Sequence, residues 1–284
     1  MAGALYGERG VLALLLARRS SALALGFFLL VLLLVAIAPL IAPADPSAMA
    51  VRQRLTPPGD LFPLGADAFG RDVLSRLLYA GRVSLMIGAG VAVVSSLFGI
   101  LIGLIAGFFR SLDGPVSRII DAMMAFPDIL LAISLVAILG GSMVNVIIAL
   151  SIVYTPRIAR IVRASTLVIR ELPYVEAARA LGSPTHYMLT HHVLLNVLSP
   201  IIVQATFIFV YSMLAEAGLS FLGVGVDPST PTWGTMINEG RQYIDQAPFL
   251  ILFPGLAISF SVLSLQLVGD GLRDALDPRI ARQM

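Results

Sequence analysis

Residues 83–109 read VSLMIGAGVAVVSSLFGILIGLIAGFF, an apolar run with no charged residue between Arg82 and Arg110. A transmembrane helix needs about 20 mostly apolar residues, so this run predicts a membrane span. The whole chain fits that prediction, because 58% of its 284 residues are hydrophobic and only 13% are charged. Soluble domains carry about 25% charged residues. We therefore expect the bilayer to be the solvent for much of the chain.

Other apolar runs lie on both sides of this one. The stretch 122–156 contains one charge, Asp128, and is too long for a single span, so we predict that a Gly-Gly-Ser turn at 140–142 divides it. The apolar run nearest the N-terminus, 20–44, is longer than the apolar part of a signal peptide and has no clear cleavage site, so we expect it to be kept as a span. With the uncharged runs 20–44, 193–215 and 247–269, the sequence predicts an all-α polytopic membrane protein with six transmembrane helices.

Two residue types are missing, and their absence excludes several chemistries. The chain has no cysteine, and all 19 of its basic residues are arginine. Thiolate metal sites, thiol nucleophiles, Schiff-base lysines and the lysine of a phosphate-binding P-loop are therefore excluded. The arginines are spread along the chain and the net charge is only +2, so we expect no nucleic-acid partner. We predict no catalytic residues.

The distribution of arginine predicts how the chain crosses the membrane. If both termini lie on one side, that side holds thirteen arginines and the other six, which favours cytoplasmic termini. We expect a multi-pass membrane protein with both termini in the cytoplasm. The expected order is a cytoplasmic segment 1–19, a first span 20–44, an external loop 45–82, a five-helix core 83–272 with a cytoplasmic segment 164–192, and a cytoplasmic end 273–284.

Residues 173–184, Pro-Tyr-Val-Glu-Ala-Ala-Arg-Ala-Leu-Gly-Ser-Pro, predict a short helix outside the bilayer. Pro173 suits the first turn, and Gly182 stands where a glycine ends a helix. Ser183 and Pro184 then predict the N-cap and first position of a second helix. A short, alanine-rich, exposed helix is poorly stable alone, so we expect it to pack against another protein.

These residues also carry a resemblance. Glu-Ala-Ala at 176–178, followed by Gly182, resembles the EAA loop of ABC importer permeases, although His192 and Leu195 stand where that motif has isoleucine and proline. Four further stretches resemble signatures of dipeptide and oligopeptide permeases of the DppC/OppC type. They are 64–76 (LGADAFGRDVLSR, with Ala66 for the usual threonine), 215–225 (AEAGLSFLGVG), 231–234 (PTWG) and 269–279 (GDGLRDALDPR).

The resemblance implies a type I ABC importer permease fold and import of di- or oligopeptides by alternating access. It implies no cofactor in this chain, with ATP and Mg bound by two partner ATPase subunits. The other implied partners are a homologous second permease, an external substrate-binding protein and the lipid bilayer. The residues implied to couple to the ATPase are Tyr174, Glu176, Ala177, Ala178, Arg179, Leu181, Gly182 and Ser183.

Polar and ionisable residues near or within the spans are candidates for the substrate pathway, namely Glu216, Ser220 and Asp128. The alternatives are an interfacial carboxylate for Glu216, and for Asp128 a partner for freed backbone groups or an arginine.

We expect Asp67, Arg71, Asp72 and Trp233 to face the external binding protein. The alternatives are that the two aspartates cap and salt-bridge the helix leading into span two, and that the tryptophan is an interfacial anchor. We predict no metal site, because His191 and His192 are adjacent and point in different directions on a helix.

Alternative cargoes within the same architecture are nickel, glutathione or a sugar. A channel or an intramembrane enzyme is the more distant alternative, but the first, second and sixth spans carry no ionisable residue.

Overall fold

The computed structural model describes residues 11–276. The predicted terminal segments, 1–19 and 273–284, lie partly outside this range. The described chain is a series of helices: α1 Val11–Ala17, α2 Arg19–Ala36, α3 Ala38–Ile41, α4 Val73–Phe108, α5 Arg110–Met124, α6 Asp128–Leu139, α7 Met143–Ile169, α8 Pro173–Ala180, α9 Thr185–Tyr187, a π-helical segment Met188–Leu194, α10 Leu195–Phe221, α11 Trp233–Gly240 and α12 Phe249–Leu276, with short 3₁₀ turns at Val51–Gln53 and Arg241–Tyr243.

The predicted six spans are confirmed, with one difference in the third. Five helices in the described range are long and apolar enough to cross a membrane, and α5 with α6 forms a sixth unit bent by 91°. Helix α6 has 12 residues. At about 1.5 Å per residue it is about 18 Å long, too short for a hydrocarbon layer of about 30 Å. The bend lies at Pro127, which cannot donate a backbone hydrogen bond and disfavours helical geometry at Phe126.

The predicted turn between the third and fourth spans is also confirmed. Gly140 adopts φ +91°, in the region that favours glycine. The side chain of Ser142 caps α7 by accepting from the backbone N–H of Asn145.

Helices α4 and α7 form the centre of the bundle because glycines let their backbones approach closely. A Cβ added at Gly99, Gly103 or Gly107 would lie 2.6 Å from a side-chain carbon of α7. These three glycines recur every four residues and therefore share one face of α4. Small residues on one face are a common means of packing helices in membranes, where lipid removes most of the hydrophobic driving force.

Several helices are longer than the apolar runs that predicted them. Helix α4 begins at Val73, so 73–82 are helical although they fall in the predicted external segment. Helix α7 continues to Ile169 and therefore includes the arginines at 157, 160 and 163. The hydropathy pattern marks only the part of a helix that is uncharged.

Candidate functional site

The predicted short helix 173–181 is present as α8, Pro173–Ala180, with the proline in its first turn. Gly182 has φ +80° and is the terminating glycine. Its N–H donates to the carbonyl of Arg179, and the N–H of Ser183 donates to the carbonyl of Ala178, both at 3.0 Å. This pair of bonds is the Schellman pattern, which satisfies helix-end carbonyls and turns the chain sharply.

One face of α8 is anchored to the bundle. Val175 is buried, and the Tyr174 hydroxyl accepts from Asn196 Nδ2 at 3.2 Å. The Arg179 guanidinium lies 5.7 Å from the ring centroid of Phe108, at the end of α4. A cavity of about 550 Å³ lies beside this contact, between the end of α4 and the α8 turn.

The opposite face of α8 is open. Glu176 and Ala177 are exposed, and Leu181 is 87% exposed. No ion pair joins Glu176 to Arg179 within the described residues, and the Arg179 guanidinium instead lies beside Phe108. A helix with a fixed inner face and an unpaired carboxylate on its outer face suits docking to another protein.

The second helix begins one residue later than predicted. The N–H of Ser183 closes the Schellman turn, so Ser183 still belongs to the end of α8. Pro184 takes the N-cap position with extended backbone, and Thr185 is the first helical residue. From there one continuous helix runs from Thr185 to Phe221 through the π-helical segment. The α8 turn is therefore joined directly to the foot of the fifth span.

On the other side of the protein, Asp67 organises the loop before α4. Its Oδ1 accepts from the N–H groups of Phe69 and Arg71 at 2.8 and 2.9 Å. Its Oδ2 accepts from Arg71 Nε at 2.6 Å and Arg76 Nη1 at 2.9 Å. Both arginines also reach Glu239 of α11, at 2.7 and 3.1 Å. Burial raises the pKa of Glu239, and the Arg71 guanidinium opposes that shift. This network ties the loop to α11.

The residues predicted to face an external protein are buried in this structure. Asp67, Asp72 and Trp233 are 6%, 3% and 2% exposed. Asp72 caps α4 through Ser75, and Trp233 Nε1 donates to the carbonyl of Leu77 at 3.0 Å. The alternative reading of the two aspartates, capping and salt bridging, matches these contacts.

Arg71 is half-buried, since its side chain is 11% exposed, and both of its salt bridges are internal. These four side chains therefore hold the external loops together instead of presenting a contact surface.

Two of the three pathway candidates are also buried. Glu216 is 1% exposed, and its carboxylate accepts from Ser220 Oγ at 2.8 Å and Ser84 Oγ at 3.3 Å. Ser84 Oγ accepts in turn from the N–H of Trp233 at 3.2 Å. The cluster joins α10, α4 and α11. It is closed to solvent in this conformation, so Glu216 ties α10 to α4 through Ser84, and Ser220 supports the carboxylate from within α10.

The third candidate, Asp128, is partly exposed. It is the first residue of α6 and pairs with Arg157 of α7, whose side chain is 29% exposed against 37% for the aspartate. The Arg157 guanidinium lies 5.3 Å from the ring centroid of Tyr154 and 5.2 Å from that of Tyr211. Sequence reasoning did not single out Arg157 or either tyrosine as part of a site. The apolar residues that follow Arg157 in α7 were the signal that the helix continues.

A cavity of about 530 Å³ opens between α7, α10 and α12, toward the end of the protein that carries α8. Ser199, Gln204 and Arg273 contribute polar groups to its wall, and Ile161 comes from α7. Sequence reasoning did not single out this cavity. Its available signal was Gln204, a polar residue within the uncharged run 193–215.

Comparison with known proteins finds relatives that are membrane components of transport systems. The family described as "Binding-protein-dependent transport system inner membrane component" matches residues 99–282. A relative from Brucella suis biovar 1 (strain 1330) is 49% identical over 94% of this chain and 90% of its own length. The di/tripeptide transport system permease protein DppC of Pseudomonas aeruginosa (strain UCBPP-PA14) is 45% identical over 89% of this chain and 86% of its own.

Among solved structures, the MetNI methionine ABC transporter in an inward-facing conformation has a chain that matches with a TM-score of 0.53. The match covers 73% of this chain and 95% of that one, at 23% identity, and shows a common fold.

Proposed function

This chain belongs to the family of binding-protein-dependent transport system inner membrane components, and from that premise we propose that it is the permease subunit of an ATP-driven peptide importer. The expected type I permease fold agrees with the match to a solved ABC importer chain. The chain is a multi-pass membrane component whose relatives are transport permeases. The energy source would be two partner ATPase subunits, which bind ATP and Mg.

The observation that carries this proposal is the exposed face of α8 at the foot of a long helix. Movement of a docked ATPase would act on Glu176 and Leu181, pass through the Gly182 turn and reach the helix Thr185–Phe221. The remaining coupling residues proposed from the sequence are Tyr174, Ala177, Ala178, Arg179 and Ser183, of which Tyr174 and Arg179 fix α8 to the bundle and Ser183 fixes the turn.

Docking of the external binding protein would use exposed residues of the loop before α4. Met49, Val51 and Leu61 are each about two-thirds exposed, and such apolar side chains in a loop suit a protein contact. We propose these three exposed residues as the contact candidates in place of Asp67, Asp72 and Trp233, whose side chains make internal contacts that hold the loops. In this proposal the loop lies outside the cytoplasmic membrane, α8 and both termini lie in the cytoplasm, and the chain spans the inner membrane beside a second, homologous permease.

Peptides are the proposed cargo because a relative that matches over most of its length is named for di- and tripeptide transport. The test is reconstitution of the chain with its second permease, ATPase subunits and binding protein in proteoliposomes. Uptake and ATP hydrolysis are measured with labelled di-, tri- and oligopeptides, glutathione, nickel and a sugar. Stimulation and uptake by peptides support the proposal. Accumulation of only nickel or the sugar would overturn the peptide assignment and keep the architecture, whereas ATP-independent flux of ions would point to a channel.

A further inference from the structure

The ion pair between Asp128 and Arg157 lies at the edge of two apolar helical segments. The 14 residues of α7 that precede Arg157 are uncharged, about 21 Å of helix at about 1.5 Å per residue, and Arg160 and Arg163 follow it. Asp128 is the first residue of α6, whose other residues are uncharged. Charged groups at such a position face a bundle interior, a partner or a water-filled cavity, because lipid cannot solvate them.

The pair nevertheless keeps part of its surface uncovered in this chain. About a third of each side chain is accessible, so neither charge is sealed within the helices as Glu216 is. The tyrosines 154 and 211 flank the guanidinium, and the Tyr154 hydroxyl reaches the backbone carbonyl of Tyr211 at 3.4 Å. Two aromatic faces hold one cation in place and leave its partner carboxylate beside it.

Polar side chains recur on the same side of α10 between this pair and the α8 end of the protein. Gln204 lies seven residues before Tyr211 and so occupies the same face of α10, two turns away. It opens on the cavity between α7, α10 and α12, whose wall also includes Ser199 and Arg273. The uncovered face of α7 and α10 therefore has polar groups at two places, the Arg157–Asp128 pair and Gln204. The exposed residues Leu256, Phe260 and Leu263 of α12 are instead apolar.

We propose that Arg157 and Asp128 form a subsite in the transport path that takes the two ends of a zwitterionic peptide, the carboxylate on Arg157 and the ammonium on Asp128. This subsite rests on the proposed peptide importer and adds to it. A free peptide carries the same two charges as the pair, so each side chain exchanges one ion-pair partner for another and no unpaired charge is created in the membrane. The tyrosine faces beside Arg157 limit water around the exchanged pair.

A second pair provides a matched control. Arg160 of α7 and Asp121 of α5 join at 2.5 Å, and their side chains are 46% and 66% exposed. The chemistry and the helix are the same, but Arg160 makes no cation–π contact within the described residues and lies one turn nearer the α8 end than Arg157. A general need for charge on α7 would affect both pairs alike.

The test compares single and double neutral variants in the full reconstituted complex, with co-purification of the ATPase subunits as the check on assembly. For a pair that only stabilises the fold, removing both charges is milder than removing one, because no partner is left unpaired. We expect instead that the double variant Arg157→Gln/Asp128→Asn loses at least about tenfold in peptide uptake, as much as either single variant. Arg160→Gln/Asp121→Asn is expected to stay within about twofold of wild type.

The outcomes separate the two proposals. If wild type takes up peptide and the Arg157/Asp128 double variant recovers relative to the single variants, the subsite is overturned and the importer stands. If wild type takes up no peptide, the proposed cargo fails and the subsite fails with it. The expected result is equal loss in the double and single variants with an assembled complex.

If these variants fail to assemble, labelling of an introduced cysteine provides a second test. The chain has no cysteine of its own, so any labelling of this chain reports on the introduced residue. Leu214 is 46% exposed and lies one turn from Tyr211, whereas Leu263 is 54% exposed on an apolar stripe of α12 with Leu256 and Phe260. A charged, membrane-impermeant thiol reagent should label Leu214→Cys and leave Leu263→Cys unlabelled. Labelling of Leu214→Cys should fall when dipeptide is present and stay unchanged with an N-acetylated, C-amidated dipeptide. Equal labelling at both positions, or equal protection by both peptides, would overturn the subsite.

Discussion

Gly103 should be intolerant of even one added methyl group, because it lies where α4 and α7 are in closest contact. A Cβ there would lie 2.6 Å from Val162 Cβ and 2.7 Å from the carbonyl oxygen of Ala159. Ordinary contacts of this kind begin near 3.4 Å. The backbone oxygen belongs to a helix and cannot rotate away, so Gly103→Ala must push the two helices apart.

Overpacking of this kind costs about 1–3 kcal/mol in well-packed cores. For a chain of this size, each kcal/mol shifts Tm by about 2–4 °C. We therefore expect Gly103→Ala to lower Tm by about 2–12 °C. The measurement is thermal unfolding in detergent or nanodiscs, followed by helical circular dichroism.

The matched control is Gly255→Ala in α12, where an added Cβ meets no heavy atom within 4 Å. Alanine favours a helix over glycine by about 1 kcal/mol, so this variant should be as stable as wild type or more stable. The packing argument is refuted if Gly103→Ala unfolds at the wild-type temperature, or if Gly255→Ala loses as much as Gly103→Ala does.

Three other substitutions test the buried contacts by the same unfolding measurement. Glu216→Gln should leave Tm unchanged or raise it, because it keeps an acceptor for Ser220 and removes a buried charge; a large loss would show that the charge itself is needed. Arg76→Met should lower the free energy of unfolding by about 1.5–3 kcal/mol, because it removes one charge-assisted hydrogen bond to Asp67 while Arg71 still compensates that carboxylate, and an unchanged Tm would contradict this. Trp233→Phe removes the hydrogen bond from the indole N–H to the backbone carbonyl of Leu77 and should lower the free energy of unfolding by about 1–3 kcal/mol. An unchanged Tm would mean that water replaces this hydrogen bond.

The sequence predicted the features that depend on local chemistry. The span count follows from uncharged runs, and the turns at 140–142 and 182 follow from glycines at the ends of helical patterns. The start of α8 follows from Pro173. In each case the deciding interactions lie within a few residues, so their spacing is visible in the chain.

The break at Pro127 could not be predicted with the same certainty. Prolines at 156, 200 and 254 lie inside α7, α10 and α12, while Pro127 precedes α6 at the break where α5 and α6 are bent by 91°. Whether a proline breaks a helix depends on whether neighbouring helices hold the two halves in line, which is a tertiary property.

Ion pairs between residues distant in sequence could likewise not be predicted from the sequence. Arg157 meets Asp128 across 29 positions, and Arg71 meets Glu239 across 168. The register of one helix against another decides such contacts, and one chain alone does not display it. For the same reason Asp67 and Trp233 were expected at the surface, although the packing of α11 against α4 buries them.

The most direct test of the account is the response of the assembled importer to Glu176→Arg, with Glu176→Gln as the neutral control. Glu176 lies on the open face of α8 and contributes no ion pair within the described residues, so reversing its charge should leave the permease folded. Peptide uptake and peptide-stimulated ATP hydrolysis are measured together in proteoliposomes. We predict that Glu176→Arg abolishes both, while Glu176→Gln keeps part of each. Wild-type uptake and hydrolysis in Glu176→Arg would contradict the claim that α8 couples this permease to an ATPase.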